Sequence, residues 1–123
     1  MLLAGLAPDG GLYLPQAYPQ LSQATIAGFA GRPYEEVAQA ILTPFVAGEI
    51  EAGAFRGMIE AAYKNFRHKA IAPLTQLESN LFVLELFHGP TLAFKDLAMQ
   101  LLAKLIDHVV KGKASTARPC LAR

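Results

Sequence analysis

From Tyr34 onward, apolar side chains recur at Val37, Ala38, Ile41, Leu42 and Phe45, the three-and-four spacing of one helix face. Pro33 suits the first turn of that helix, and Pro44 is expected to stop or kink it, because its ring opposes the carbonyl four residues back. A second stripe, Phe55, Met58, Ile59, Ala62, Tyr63 and Phe66, keeps the same period from about Glu51. Joined at the Ala47-Gly48-Glu49 corner, the two stripes predict a helical pair packed face to face. Ahead of the pair, "GLAPDGGLYLP" reads as a turn on Pro8 and Asp9 with φ freedom at Gly10 and Gly11. A short edge strand over Leu12, Tyr13 and Leu14 follows, ended by Pro15. "PQLSQATIAGFAG" predicts a short helix capped near Ser22 and closed between Gly28 and Gly31.

After the pair the helical period is lost. Arg67 to Asn80 contains Pro73 and ends on a Ser79-Asn80 turn, which places a domain boundary between residues 1–78 and 79–123. "LFVLELF", residues 81–87, is almost continuously apolar and reads as a strand covered on both faces. From about Thr91 the pattern is helical again, with Leu97, Ala98, Leu101, Leu102, Leu105, Ile106, Val109 and Val110 on a broad face. Asp96, Gln100, Lys104, Asp107 and Lys111 fall away from that face. Strand, tight corner and helix make half of a βαβ unit, yet the tail "KGKASTARPCLAR" is polar and unpatterned, not a next strand. The fold class expected is α/β overall, mostly helical in this chain.

Composition narrows the function classes. With 53% hydrophobic and 17% charged residues the chain is an ordered one, and a net charge of +1 gives no electrostatic drive toward nucleic acid. No apolar run approaches the about 18 residues of a membrane span, and the "MLL" start lacks a charged leader region. A soluble, cytoplasmic protein without nucleic-acid or membrane partners is the expectation. The single cysteine, Cys120, has no disulfide partner, and His68, His88 and His108 are too scattered in sequence to read as a metal site. "PDGG" precedes a strand, not a helix, and matches no nucleotide fingerprint.

One residue stands out. Lys95 falls in the first turn of an apolar helix, directly after the His-Gly-Pro-Thr corner, where the helix dipole disfavours an ammonium and suits a carboxylate such as Asp96. If Phe94, Leu97 and Ala98 also partly desolvate the amine, both effects favour the neutral, nucleophilic form that a Schiff base needs. The plainer alternative is an exposed lysine paired with Asp96 or with a carbonyl. His88 sits either in a ligand cleft at the carboxyl end of the strand or on a backbone group of its corner. Glu85 is a buried acid or an outward-facing edge residue, and Thr91 a reacting or phosphate-contacting hydroxyl or an N-cap.

The run "LELFHGPTLAFKDLAMQLL" resembles the lysine segment of threonine synthases, in which the lysine after the phenylalanine carries pyridoxal phosphate. "GLAPDGGLYLP", "YEEVAQAILTPF" and "AYKNFRHKAIAPL" resemble the N-terminal domain of that family, in the same order, so that the likeness covers roughly residues 4–111. The resemblance implies that Lys95 is both the catalytic and the cofactor-binding residue. It also implies a reaction in which O-phosphohomoserine and water become threonine and phosphate. The cofactor there serves as electron sink for carbanions at the α and β carbons, and the lysine shuttles protons. The implied fold of residues 79–123 is the start of a tryptophan-synthase-β-like domain, of pyridoxal-phosphate fold type II.

The likeness stops at both ends. The short segment that usually precedes "GLAPDGG" is missing, and the glycine-rich loop that holds the cofactor phosphate belongs after residue 113. The tail is compatible with a truncated or frame-shifted product, and a chain without that phosphate cradle is expected to have little or no synthase activity. Residues 1–78 are expected to be the better-folded part. Two further readings stay open: a related cofactor-dependent phospholyase that releases a keto acid and ammonia, and a non-enzymatic helical interaction module.

Overall fold

The computed structural model describes residues 5–116. The described residues form, in chain order, three helices, α1 (Gln23–Ala27), α2 (Tyr34–Val46) and α3 (Ala52–Tyr63), one antiparallel hairpin of β1 (Leu74–Glu78) and β2 (Leu81–Leu84), and a fourth helix, α4 (Asp96–Thr116). The arrangement is mixed helix with a small sheet. α2 packs on α3, and α3 packs on α4.

The predicted helices form where their end signals lie. The Ser22 hydroxyl accepts from the Thr25 N–H to cap α1, and Gly28 closes it. The Glu51 carboxylate caps α3 by accepting from the N–H groups of Gly53 and Ala54, both at 2.8 Å. Pro44 does not stop α2, which runs two residues further to Val46. Lying in the last turn, the proline costs only the bond to the Ala40 carbonyl, next to a helix end.

The core lies between the helical pair and α4. Phe55, Ile59, Ala62 and Tyr63 from α3 meet Ala38 from α2, Leu101 from α4 and Ile71 from the following loop. Tyr63 lies edge-on to Tyr34 at 4.9 Å and to Phe66 at 5.4 Å between ring centres, so three aromatic rings lock the pair. Ile71 is buried with a left-handed backbone, φ 61°.

Three expectations are corrected. Leu12, Tyr13 and Leu14 form no strand: the Asp9–Gly11 turn is present, with Gly10 at φ +83°, but among the described residues nothing pairs with the segment after it. The stretch before Ser79 holds β1, which pairs with β2 in register Leu74 with Leu84 and Thr75 with Val83, with a bulge at Leu77. The run from Leu81 is therefore half of a hairpin ending at Leu84, and all of its strand residues are exposed instead of covered on both faces. Lastly, α4 starts at Asp96 and continues through Thr116, so part of the supposedly unpatterned tail is helical; Cys120 lies outside the described residues.

Ile59 is the most deeply enclosed side chain, with none of its surface exposed. Ile59→Ala should therefore lower the unfolding free energy by about 2–5 kcal/mol, the cost of a large-to-small change in a packed core. Urea unfolding followed by far-ultraviolet circular dichroism checks it through the transition midpoint.

Candidate functional site

The chain from Leu84 to Asp96 makes a corner, not a helical turn, and its geometry follows from one carboxylate. Asp96, the first residue of α4, accepts from the Thr91 N–H at 2.7 Å and the Thr91 hydroxyl at 2.9 Å. The Gln100 amide approaches the same carboxylate at 3.5 Å. Only 4% of Asp96 remains exposed, against the sequence expectation of a solvent-facing position. Burial favours the neutral acid, but the Thr91 and Gln100 donors and the Ala93 backbone outweigh it and hold the carboxyl below its ordinary value. A negative charge at the start of α4 is also favoured by the helix dipole.

The corner residues are those that can fold onto this acid. A Cβ built on buried Gly89 would overlap the Asp96 side chain, so glycine is required by close approach. Leu92 is left-handed at φ 63°, and its N–H reaches the Gly89 carbonyl at 3.2 Å to close the turn. Thr91 is thus not the N-cap of α4; it is the donor that fastens the corner to the helix.

Lys95 sits immediately before α4 and occupies its N-cap place: its carbonyl accepts from the N–H groups of Ala98 at 3.2 Å and Met99 at 2.9 Å. Its side chain is exposed, and flanking Phe94 is 64% exposed. Among the described residues no ion pair joins Lys95 to Asp96, whose oxygens face Thr91 and Gln100 instead. Lys95 lines an apolar groove of about 800 Å³, walled by Tyr34, Tyr63, Leu86, Phe94 and Leu102 among others. An accessible primary amine on such a wall can condense with a carbonyl compound.

On the other side of the corner, His88 and Glu85 pair at 2.7 Å, and the Thr75 hydroxyl donates to Glu85 at 2.9 Å. The His88 bond, then that of Thr75, holds the Glu85 carboxyl below its usual value. His68, distant in sequence, comes to 5.1 Å between ring centres from His88. The His88 carbonyl accepts from the Arg67 N–H at 2.8 Å, so the loop after α3, the hairpin and the corner meet at these residues. Sequence reading found Glu85 and His88 but not their partners, which only folding brings near. No group of three or more metal-ligating side chains occurs among the described residues. No helix among them is long and apolar enough to cross a membrane.

A strand, an acid-fastened corner and an amine at a helix start, set against a helical pair, define an amine-bearing α/β segment. The model of the threonine synthase N terminus matches residues 1–63, and the chain belongs to the threonine synthase family. It is 54% identical over 110 residues to threonine synthase of Pseudomonas aeruginosa, covering 89% of this chain and 24% of that protein. It is 39% identical over 114 residues to threonine synthase-like 2 of Xenopus laevis, covering 92% of this chain and 24% of that protein. The crystal structure of PLP-bound threonine synthase from Brucella melitensis superposes with a TM-score of 0.88 at 59% identity, over 92% of this chain and 24% of that one. The chain thus spans about a quarter of the length of the relatives it matches. The fold described above corresponds to the N-terminal part of that structure.

Two carboxylates with lowered values, Glu85 and Asp96, make the corner acid-sensitive. Each stabilises the fold fully above the ordinary carboxylate value of roughly 4, and loses that contribution as pH falls through its own lower value. Acid titration followed by NMR should show the Thr91 and Leu92 amides losing their native shifts below that range. Asp96→Asn should remove the Asp96 part of this transition. Gly89→Ala should displace the corner at neutral pH, seen as faster hydrogen exchange at the Thr91 amide.

Proposed function

We propose that this chain is the N-terminal part of a threonine synthase that converts O-phosphohomoserine and water to threonine and phosphate, with Lys95 holding pyridoxal phosphate. The observation that carries the reading is the exposed Lys95 amine at the start of α4 on the groove wall, in a chain of this family. On this reading residues 1–78 are the N-terminal domain. Residues 79–123 open the cofactor domain, of tryptophan-synthase-β-like fold type II, and the protein works in the cytoplasm.

The groove residues suit one end of that cofactor. Lys95 offers the amine to which its aldehyde attaches, and the rings of Tyr34, Tyr63 and Phe94 with Leu86 and Leu102 form an apolar wall for a flat heterocycle. A phosphate needs a cluster of N–H or cationic donors, and among the described residues Lys95 is the one cation on this wall. On this reading the phosphate is held by groups other than this wall.

Bound pyridoxal phosphate supplies an electron sink for carbanionic substrate carbon. Lys95 Nζ takes a proton from the substrate's α carbon and returns protons later in the sequence, as base and then acid. Asp96 and Thr91 keep the start of α4, and hence the stem of Lys95, in one place while the amine exchanges partners.

The test joins residues 1–112 to the remaining length of the P. aeruginosa enzyme and measures phosphate release from O-phosphohomoserine. The chimera should turn over, and Lys95→Ala should lower kcat by at least about 10²-fold, the scale of a lost general acid–base group. The 123-residue chain alone, with cofactor added, should release no phosphate above background. A keto acid and ammonia in place of threonine would identify the phospholyase instead, and an active Lys95→Ala chimera would remove Lys95 from the chemistry.

A further inference from the structure

We infer that Tyr63 is a positioning residue for Lys95, acting through the backbone of the first turn of α4. The inference rests on the proposed role of Lys95. Tyr63, at the end of α3, is 4% exposed, and its hydroxyl donates to the Leu97 carbonyl at 3.0 Å. Leu97 is two residues beyond Lys95, and the bond joins groups 34 positions apart in sequence.

The remaining contact between α3 and α4 is apolar, built on Leu101 with Leu97 and Leu105 against Phe55 and Ile59. Apolar burial is non-directional: it holds α4 against α3 but tolerates a small rotation or slide of the helix about its axis. A hydrogen bond to one carbonyl is directional and weakens steeply with misalignment. Rotating α4 by one residue, about 100° of helix, would carry the Leu97 oxygen out of reach. The Tyr63 bond therefore sets the rotational phase of the first turn, and with it the direction in which Lys95 leaves the helix start.

Two features keep this donor in place. The Tyr63 ring is held edge-on between Tyr34 and Phe66, and the Tyr34 phenol lies beside that of Tyr63. Burial, with Tyr34 beside it, pushes the Tyr63 phenol well above the usual tyrosine range, so it remains a neutral donor at any working pH. Tyr34 and Tyr63 also line the groove that Lys95 borders, so the group that orients the lysine shares its wall.

The test uses Tyr63→Phe, which removes one hydroxyl and keeps the ring. Phe66→Leu, which loosens the same aromatic stack without touching Leu97, serves as the control. In the 123-residue chain, Tyr63→Phe should speed hydrogen exchange of the Ala98 and Met99 amides by about fivefold, the loss of one neutral hydrogen bond. Exchange at Phe55 and Ile59 should change less, and Phe66→Leu should not reproduce the pattern. In the chimera, Tyr63→Phe should lower kcat about fivefold with KM unchanged, a loss confined to the transition state. A uniform rise across α2, α3 and α4, an equal effect of Phe66→Leu, or no change would overturn the inference. If Tyr63→Phe does not fold, Tyr34→Phe must give a smaller rise confined to the same two amides, and a uniform rise or none again overturns it. An inactive parent chimera would count against the proposed reaction, whereas the exchange result reports on Tyr63 independently.

Discussion

The architecture around Lys95 depends on a single carboxylate with its donors. Asp96 sits where the dipole of α4 welcomes a negative charge, and Thr91 reaches it with both its backbone N–H and its hydroxyl. A buried acid of this kind is tolerated only when its lone pairs are occupied. The demand for donors is what folds five residues back on themselves between the hairpin and the helix. Gly89 is there because nothing larger fits against the acid, and Lys95 closes the first turn because the corner ends one residue before Asp96.

The second layer of control is tertiary. The helical pair is a platform whose outer end carries Tyr63, and α4 lies across it with Leu101 in the common core. On the far side of the corner the Glu85–His88 pair ties the hairpin to the chain that leaves α3. The helix start that presents the amine is thus fixed from two directions, one apolar and aromatic, the other charged and hydrogen-bonded. Such a foundation suits a residue whose side chain must change partners while its stem stays still.

Much of this was legible in the amino-acid sequence wherever a physical period or an end signal was present. The stripes Val37 to Phe45 and Phe55 to Phe66 announced α2 and α3, although on α2 Ala38 is buried while Ile41 and Phe45 stay exposed, and Ser22 announced α1 because a hydroxyl is needed there. β1 was not legible: Leu74-Thr75-Gln76-Leu77-Glu78 does not alternate, a bulge breaks its register, and all five residues are exposed. The strand from Leu81 was recognised, but its apolar run was taken for burial. The place of Lys95 at the start of a helix was readable from the Gly-Pro corner and the period after it. Its exposure was the plainer of two readings open in the sequence, whereas the burial of Asp96 was not readable, since it follows from Thr91 turning back through space.

Leu92 carries a consequence of its own. A leucine held left-handed is about 1–2 kcal/mol less comfortable than in an ordinary conformation, and glycine is the residue that adopts this geometry freely. The corner therefore holds one strained residue in place through its grip on Asp96. Loss of the acid and relief of the strain act on one element, so their energies do not sum.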